Sequence, residues 1–531
     1  MPKKLLPYEK TGYFSKLIVD YLAEDGATLP FYNRFPNWDG FKEQLSEKKK
    51  SFPSASREAL VRSLEHQYKN TNISEATQKN MDALLQDSTF TITTGHQLNL
   101  FTGPLYFLYK IFSVINLAEQ LNTKHPKNHF VPIYWMATED HDLAEINYFN
   151  LNDKKLVWEQ NAGGAVGELS TDGLDQVLTV FKKELGVSEN ARKLTSLFSE
   201  AYVKHTNLAD ATRYLGNELF KEYGLVIVDG NHSELKKAFI PFAEMELTEN
   251  RSYQKITETT KRLTDTGYSE QVHPREINLF YLTEGIRERI VEKEGNFYVN
   301  NTEQVFSKAE ILQELKDNPK AFSPNALLRP LYQEVILPNL CYVGGGGELA
   351  YWFQLKDYFE SVEVAFPILL LRNSVLLVPK YLSEKLKKLD VKIDRLFQEQ
   401  HQLTTEFTQQ ISAVEIDFSP QREHLQKQFE SLYELAKKTD ASFVGAVGAQ
   451  EKKQLNGLDH LEKRLLKAQK RKLSDQLERL KAIQNTLFPK HSLQERNENF
   501  SKFYLEYGDR LFSELRENLD PLALEFTILE I

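Results

Sequence analysis

A chain of 531 residues with 41% hydrophobic content has room for several domains and a sizeable core. Its balance is mildly acidic, 75 Asp and Glu against 66 Lys and Arg, which argues against nucleic acid as a partner. The single cysteine, Cys341, excludes an intramolecular disulfide and fits a reducing compartment. No apolar run is long enough for a signal peptide or a membrane span, so the expectation is a cytoplasmic protein with no membrane partner.

Residues 1–88 read as mostly helical: 14–22, 38–45, and 56–68 and 74–85, the last two opening at Ser56 and Ser74 as N-caps. This part is expected to cover one sheet face and to carry no chemistry. Residues 90–149 organise the rest. A β-branched and aromatic run, 90–94, stops at Gly95; 104–121 carries Leu105, Leu108, Ile111, Phe112, Ile115 and Leu117 at helical spacing; 131–136 is a second buried strand. The pattern predicts a β-α-β unit of an open parallel sheet, with His96, Gln97 and the cluster Glu139, Asp140, His141 and Asp142 beyond the strand ends, where ligands bind in such sheets.

Residues 155–170 predict a hairpin with its turn at Gly163-Gly164, 174–223 are helical, 225–228 form another buried strand ending at Asp229-Gly230, and 235–263 are helical. Residues 271–300 suggest a small antiparallel meander. Ser307 caps a short helix, and 323–337 reads as a helix broken by Pro330. The strand 340–343 runs into Gly344, Gly345, Gly346, Gly347 and Glu348, followed by a helix bearing Tyr351 and Trp352, and 362–371 is a last core strand ending at Arg372. From Tyr381 two leucine-rich runs, the second at Leu466, Leu473, Leu480 and Leu487, predict two long amphipathic helices in an antiparallel coiled coil, with a glycine-containing loop at 440–457. Such a pair leaves a seam that a second copy covers, so a homodimer is expected. The apolar end, 491–531, packs back on the core. The expected division is thus 1–88, a core at 89–380 with insertions at about 155–223 and 235–322, an arm at 381–490, and 491–531.

Four groups of residues invite chemistry. Gly95 and His96 sit where a strand gives way to a helix, a place suited to phosphate, or else His96 only packs there. The crowded carboxylates Glu139, Asp140 and Asp142, with His141, Glu145 and Asn147, are read as recognising a substrate amine, because adjacent residues rarely present three ligands to one ion; no permanent metal is expected. The Gly344 to Gly347 run permits close backbone approach of a ligand, as would any tight turn. Lys110, Arg329 and Arg372 are candidates for a substrate carboxylate, each with a salt bridge as the plainer reading. Cys341 reads as a small buried hydrophobe.

Three segments, TTGHQLNLFTGPLYFLYKI, VPIYWMATEDHDLAEIN and RPLYQEVILPNLCYVGGGGELAYW, resemble the signature segments of the cysteine ligase of bacillithiol biosynthesis, the BshC family, and the resemblance runs in order over essentially the whole chain. It implies an α/β, Rossmann-like core of nucleotidylyltransferase type, with the coiled coil appended. It implies addition of L-cysteine to glucosaminyl-malate, with ATP as the expected activating nucleotide. Catalysis is then assigned to His96, Asp140 and His141; substrate binding to Gln97, Lys110, Glu139, Asp142, Asn147, Arg329, Glu348, Tyr351, Trp352 and Arg372; and nucleotide binding to Gly95 and Gly344 to Gly347. Family members often read Thr-Gly-Gln-Gln where this chain has Thr94-Gly95-His96-Gln97. Of the His-x-Gly-His turn of nucleotidylyltransferases, only the second histidine survives in Thr93-Thr94-Gly95-His96. Two other readings are a small-molecule nucleotidyltransferase and a dimeric, non-enzymatic ligand-binding scaffold.

Overall fold

The computed structural model describes residues 3–152, 154–160 and 163–531. Its centre is a five-stranded, fully parallel sheet built from β1 (Thr89–His96), β2 (His129–Met136), β3 (Val226–Asp229), β4 (Asn339–Gly344) and β5 (Ile368–Leu371), in the order β5-β4-β1-β2-β3. These strands are buried on both faces because helices cover both, as an all-parallel sheet requires. The helix α1 (Tyr106–Lys124) follows β1 and is buried nearly all round, against the sheet on one side and the C-terminal segments on the other. Register aligns the strand ends: His96 lies opposite Met136, Met136 opposite Asp229, and Gly344 opposite Leu371. The chain adds β2 and β3 on one side of β1, then crosses to build β4 and β5 on the other. The gap between the ends of β1 and β4 is therefore the switch point at which such sheets bind ligands.

Between β3 and β4 the chain inserts α2 (Ser233–Glu249), the helix Arg251–Asp265 and an antiparallel sheet in the order Val305–Ser307, Asn296–Val299, Ile286–Lys293, Leu279–Thr283, Phe322–Pro324. The helical stretch expected over 235–263 is thus two helices, broken at Asn250, whose backbone is left-handed. Pro330 does not break a helix. It stands in the first turn of α3 (Arg329–Ile336), where no intrahelical N–H is needed. Then α4 (Gly346–Trp352) leads to β5. The early hairpin also differs from expectation: it pairs Tyr148–Leu151 with Lys154–Val157, upstream of Gly163-Gly164. Asn161 and Ala162, within the expected span, lie outside the described residues. Gly163 instead abuts the inserted sheet, where a Cβ would meet the Gly285 carbonyl at 2.8 Å.

The two termini meet on the core. Lys3–Leu6 pairs antiparallel with the last strand, Phe526–Glu530, which runs parallel to Val375–Val378 just after β5. The first leucine run of the arm is three pieces, Lys380–Lys388, Ile393–Phe397 and α5 (Gln400–Ile411), whose apolar residues join the main core. The coiled coil itself is α6 (Ser419–Ala436) against α7 (Ala441–Lys472), and α8 (Ser474–Leu487) returns along α5. The loop expected at 440–457 is helix. Asp440 caps α7 by accepting from the Ser442 and Phe443 amides. Gly448 tolerates its helical position because the Tyr433 hydroxyl comes within 3.1 Å of where a Cβ would stand, and that hydroxyl donates to Glu451 at 2.8 Å.

Candidate functional site at the strand ends

At the switch point the β1 end carries Gly95, whose carbonyl accepts from the Lys110 ammonium at 2.7 Å. Lys110 reaches there from α1 and also pairs with Glu348 at 2.6 Å. Glu348 further accepts from the Tyr342 hydroxyl (2.9 Å) and the Gly345 amide (2.8 Å). Burial would raise the Glu348 carboxyl, but Lys110 and these donors hold it below the usual range. Arg329 completes the edge. A Cβ on Gly95 would lie 3.9 Å from its Nη1 and 3.2 Å from the Tyr342 hydroxyl, so glycine lets both approach. The guanidinium donates to Gln333 Oε1 (3.1 Å) and the Tyr351 hydroxyl (3.3 Å), and among the described residues no carboxylate lies within salt-bridge distance of it.

Two residues beyond Gly95, the Gln97 amide nitrogen donates to Asp140 Oδ2 (2.9 Å) and Glu145 Oε2 (2.8 Å), joining two carboxylates with a neutral group. Burial alone would raise Asp140, but hydrogen bonds from His141 and Gln97 hold it well below the usual carboxylate range. His141, exposed, accepts through Nδ1 from Arg287 at 2.8 Å. Arg287 arrives from the inserted strand Ile286–Lys293, lies 4.1 Å over the Phe280 ring, and also donates to Ser323 and the Pro324 carbonyl. Glu139, partly exposed, pairs with the buried Lys236 of α2 (2.6 Å), which also donates to the Phe322 carbonyl (2.8 Å). Burial pushes the Lys236 ammonium down, and Glu139 opposes it.

His96 sits at the end of β1, 6% exposed, against Phe107 (4.8 Å between ring centres) and Tyr106. Burial and the nearby Lys110 push its pKa down to about 3, so it is neutral at physiological pH. The space beside it is about 10 Å³, room for roughly one water and none for a phosphate. Its Nε2 faces the Thr102 carbonyl at 3.4 Å, in a loop where Phe101, Thr102 and Gly103 all have positive φ. Two non-glycine residues in that region are strained, and the C-terminal segment holds them there: the Asn499 amide donates to the Phe101 and Gly103 carbonyls at 2.8 and 2.6 Å.

The structure thus gathers Gly95, Lys110, Arg329, Glu348 and Tyr351 on one side and Gln97, Glu139, Asp140 and His141 on the other. The remaining candidates hold structural partners, with Gly344, Gly345 and Arg372 at the edge of this group and the others away from it. Asp142 caps the short helix Leu143–Ile146 by accepting from the Glu145 amide. Asn147 exchanges hydrogen bonds with the Trp158 backbone. Trp352 is a core residue stacked near Tyr342, Phe359 and Phe366 with no exposed surface. Arg372 is buried and paired with Glu495 at 2.7 Å, beneath the Tyr106 ring. The glycine run meets protein rather than open space at three positions: Gly344 the Tyr342 ring (2.9 Å), Gly345 the Glu348 carboxylate (3.4 Å) and Gly346 the Ile18 side chain (3.4 Å). Among the described residues no three His, Cys, Asp or Glu side chains are grouped to hold a metal ion, and no helix is long and apolar enough to cross a membrane. Sequence reading missed Arg287, Lys236 and Tyr342. Lys236 had a usable signal, since its helix opens just past the Asp229-Gly230 strand end; Arg287, on a two-sided strand of an insertion, had none.

These features define a Rossmann-like α/β protein with a cluster of charged side chains at its switch point and an appended coiled coil. Comparison with known proteins supplies the family. The model of the Rossmann-like N-terminal domain of bacillithiol biosynthesis BshC matches residues 1–373, and that of the BshC C-terminal coiled-coil domain matches 375–531. A protein of Christiangramia forsetii named "Putative cysteine ligase BshC" is 56% identical over 533 residues, covering 100% of this chain and 99% of its own. One of the same name from Flavobacterium johnsoniae is 53% identical over 531 residues, covering 100% of both chains, and one from Bacillus cereus strain G9842 is 26% identical over 521 residues, covering 94% and 95%. The chain belongs to the BshC family of bacillithiol biosynthesis.

Proposed function

We propose that this chain joins the carboxyl group of L-cysteine to the amine of glucosaminyl-malate, the last step of bacillithiol biosynthesis, with ATP supplying the activation. Family membership and the name carried by its relatives support the reading. The observation that carries it is the distribution of unsatisfied charge at the strand ends. Arg329 has no carboxylate partner among the described residues, and Asp140 and Glu145 meet at the neutral Gln97 amide rather than at a lysine or arginine. A guanidinium without a carboxylate partner on one side, with the Asp140 and Glu145 carboxylates on the other, is complementary to substrates that carry carboxylates and an amine.

Amide formation from a free carboxylate is uphill in water, so an oxygen of the cysteine carboxyl must leave attached to phosphorus while the amine nitrogen takes its place on carbon. ATP is the donor proposed. The residues then divide the work. Arg329 holds a carboxylate in its planar fork, and Lys110 lies beside it as a second cation, partly neutralised by Glu348. Asp140, held ionised, binds the ammonium form of the amine. Glu145 stands 2.8 Å from the same Gln97 amide and takes the proton that the nitrogen loses. His96, neutral and enclosed, keeps the strand-end loop in place.

The arm is proposed to make the protein a homodimer. Leu435 and Leu461 of the coiled coil are 54% and 52% exposed, and Leu432 and Phe443 are also exposed, a seam that a second copy covers. The test of the reaction is direct. Purified protein given L-cysteine, glucosaminyl-malate and ATP with Mg²⁺ yields the amide, read by mass spectrometry, one-for-one with a nucleotide product. No amide with ATP, nor with a host extract able to supply another activated donor, would overturn the proposal.

A further inference from the structure

Beneath the Arg329 edge of the cluster lies an ion pair closed to solvent. Lys48, on the helix Trp38–Ser51, donates to Glu334 Oε2 of α3 at 3.0 Å, and the two side chains are 2% and 0% exposed. A buried pair is at best neutral against apolar residues of the same volume, so stability alone does not account for it. What the pair touches does. Glu334 Oε1 accepts from Asn339 Nδ2 (2.6 Å) and from Gln333 Nε2 (3.1 Å), while Asn339 Oδ1 accepts from the hydroxyls of Thr93 (2.8 Å) and Thr91 (3.3 Å) on β1.

The polarity of this network runs one way. An ionised carboxylate only accepts, so Gln333 must turn its NH₂ toward Glu334 and its carbonyl oxygen the other way. That oxygen is the one accepting from Arg329 Nη1 at 3.1 Å. With Gln333 and Tyr351 as its side-chain partners, both neutral, the guanidinium keeps its full charge at the strand ends beside Gly95. We infer that Glu334, held ionised by Lys48, is a positioning residue that fixes the Gln333 amide and through it aims Arg329 at a substrate carboxylate. The inference deepens the proposed ligase reading by assigning the device that builds its carboxylate subsite. Burial raises the Glu334 carboxyl above the usual range even with Lys48 and its amide donors opposing this, so removing Lys48 favours a protonated Glu334 that can donate. Gln333 is then free to flip and to present its NH₂ to the guanidinium, donor against donor.

The experiment measures KM and kcat for both substrates together with unfolding midpoints. The variants are Glu334→Gln, Lys48→Met, Gln333→Met, Arg329→Lys and the doubles Lys48→Met/Glu334→Gln and Arg329→Lys/Glu334→Gln. Glu334→Gln and Gln333→Met should each raise KM for one substrate about tenfold with kcat changed less than about threefold, as loss of binding shared by ground and transition states does. The substrate affected, cysteine or glucosaminyl-malate, is the one whose carboxylate Arg329 holds. Adding Glu334→Gln to Arg329→Lys should raise KM no further, because Glu334 acts through Arg329. Lys48→Met/Glu334→Gln should regain stability lost in Lys48→Met, since no lone charge stays buried, yet keep the raised KM. Unchanged KM values in Glu334→Gln and Gln333→Met, or a KM that recovers with stability in the double variant, would overturn the inference and confine the network to folding. If the parent protein makes no amide, it is the ligase reading that fails. The crystal structure of Glu334→Gln then decides the positioning role: an Arg329 withdrawn from Gln333 Oε1 upholds it, and an undisturbed one overturns it.

Discussion

Replacing Asn499 by alanine tests whether the C-terminal segment enforces the loop that follows β1. The Asn499 amide is buried and gives both its N–H groups to the carbonyls of Phe101 and Gly103, at 2.8 and 2.6 Å, while its oxygen caps the helix Phe500–Tyr507 through the Ser501 amide at 3.0 Å. Each carbonyl left without a donor costs about 1–3 kcal/mol, and the lost cap about 0.5–2 kcal/mol. Partial relaxation of the loop lowers the sum, so about 3–5 kcal/mol is expected, a large share of the roughly 5–15 kcal/mol that stabilises a folded domain. The released segment contains Phe101 and Thr102 at positive φ, and Phe101 is also the ring at the centre of Phe149, Phe181, Phe198 and Phe500. Urea unfolding followed by tryptophan fluorescence reads the effect, because Trp135, Trp158 and Trp352 are all buried. The first transition should move to markedly lower urea. Asn499→Asp separates the terms: it keeps the capping oxygen and lacks the N–H donors, so it should show most of the alanine loss, short of it by about the cap's 0.5–2 kcal/mol. An aspartate variant with the parent's midpoint would show that the carbonyl bonds are not what holds the loop.

Three further outcomes follow from the same geometry. Folded His96 stays neutral down to about pH 3 while the unfolded side chain takes a proton near 6.5, so stability should fall as pH drops through that window by at most about 1.4 kcal/mol per pH unit. His96→Asn should show a pH slope of urea midpoints shallower by one proton, and an identical slope would contradict the buried, neutral assignment. Lys236→Met removes the lysine paired with Glu139 and should cost at most about 3–5 kcal/mol, since Glu139 is partly exposed and stays near Arg287, partly recovered in the double variant with Glu139→Gln; a single variant as stable as the parent counts against the pair. Sedimentation at micromolar protein should give a dimer that Leu435→Glu with Leu461→Glu converts to a monomer, whereas a monomeric parent, or a dimer indifferent to both changes, refutes assembly through the arm.

The core strands were legible because burial on both faces writes a short run of β-branched, aromatic and apolar residues, and a following glycine or acidic cluster marks the carboxyl end. That sufficed to place Gln97 and the residues from Glu139 to Asp140 together beyond the strand ends. The arm was less legible. Gly445, Gly448 and Gly457 look like helix breakers in the sequence, yet all three lie inside α7, which packing against α6 holds in place. Pairings between distant segments left no local mark. Arg372 looks like a ligand for substrate until Glu495, 123 residues on, is seen beside it. Arg287 reaches His141 across 146 residues from a strand whose alternation suggests nothing but a surface. At three positions of the glycine run the small residues make room for protein, the Tyr342 ring, the Glu348 carboxylate and the Ile18 side chain, which no local pattern announces.

The central claim is that this chain performs the cysteine-adding step of bacillithiol biosynthesis, and thiol profiling of a host strain lacking its gene tests that most directly. The account predicts no bacillithiol, accumulated glucosaminyl-malate, and restoration by the parent gene but only weakly by Arg329→Ala. Normal bacillithiol in the deletion strain, or accumulation of a different precursor, would contradict it.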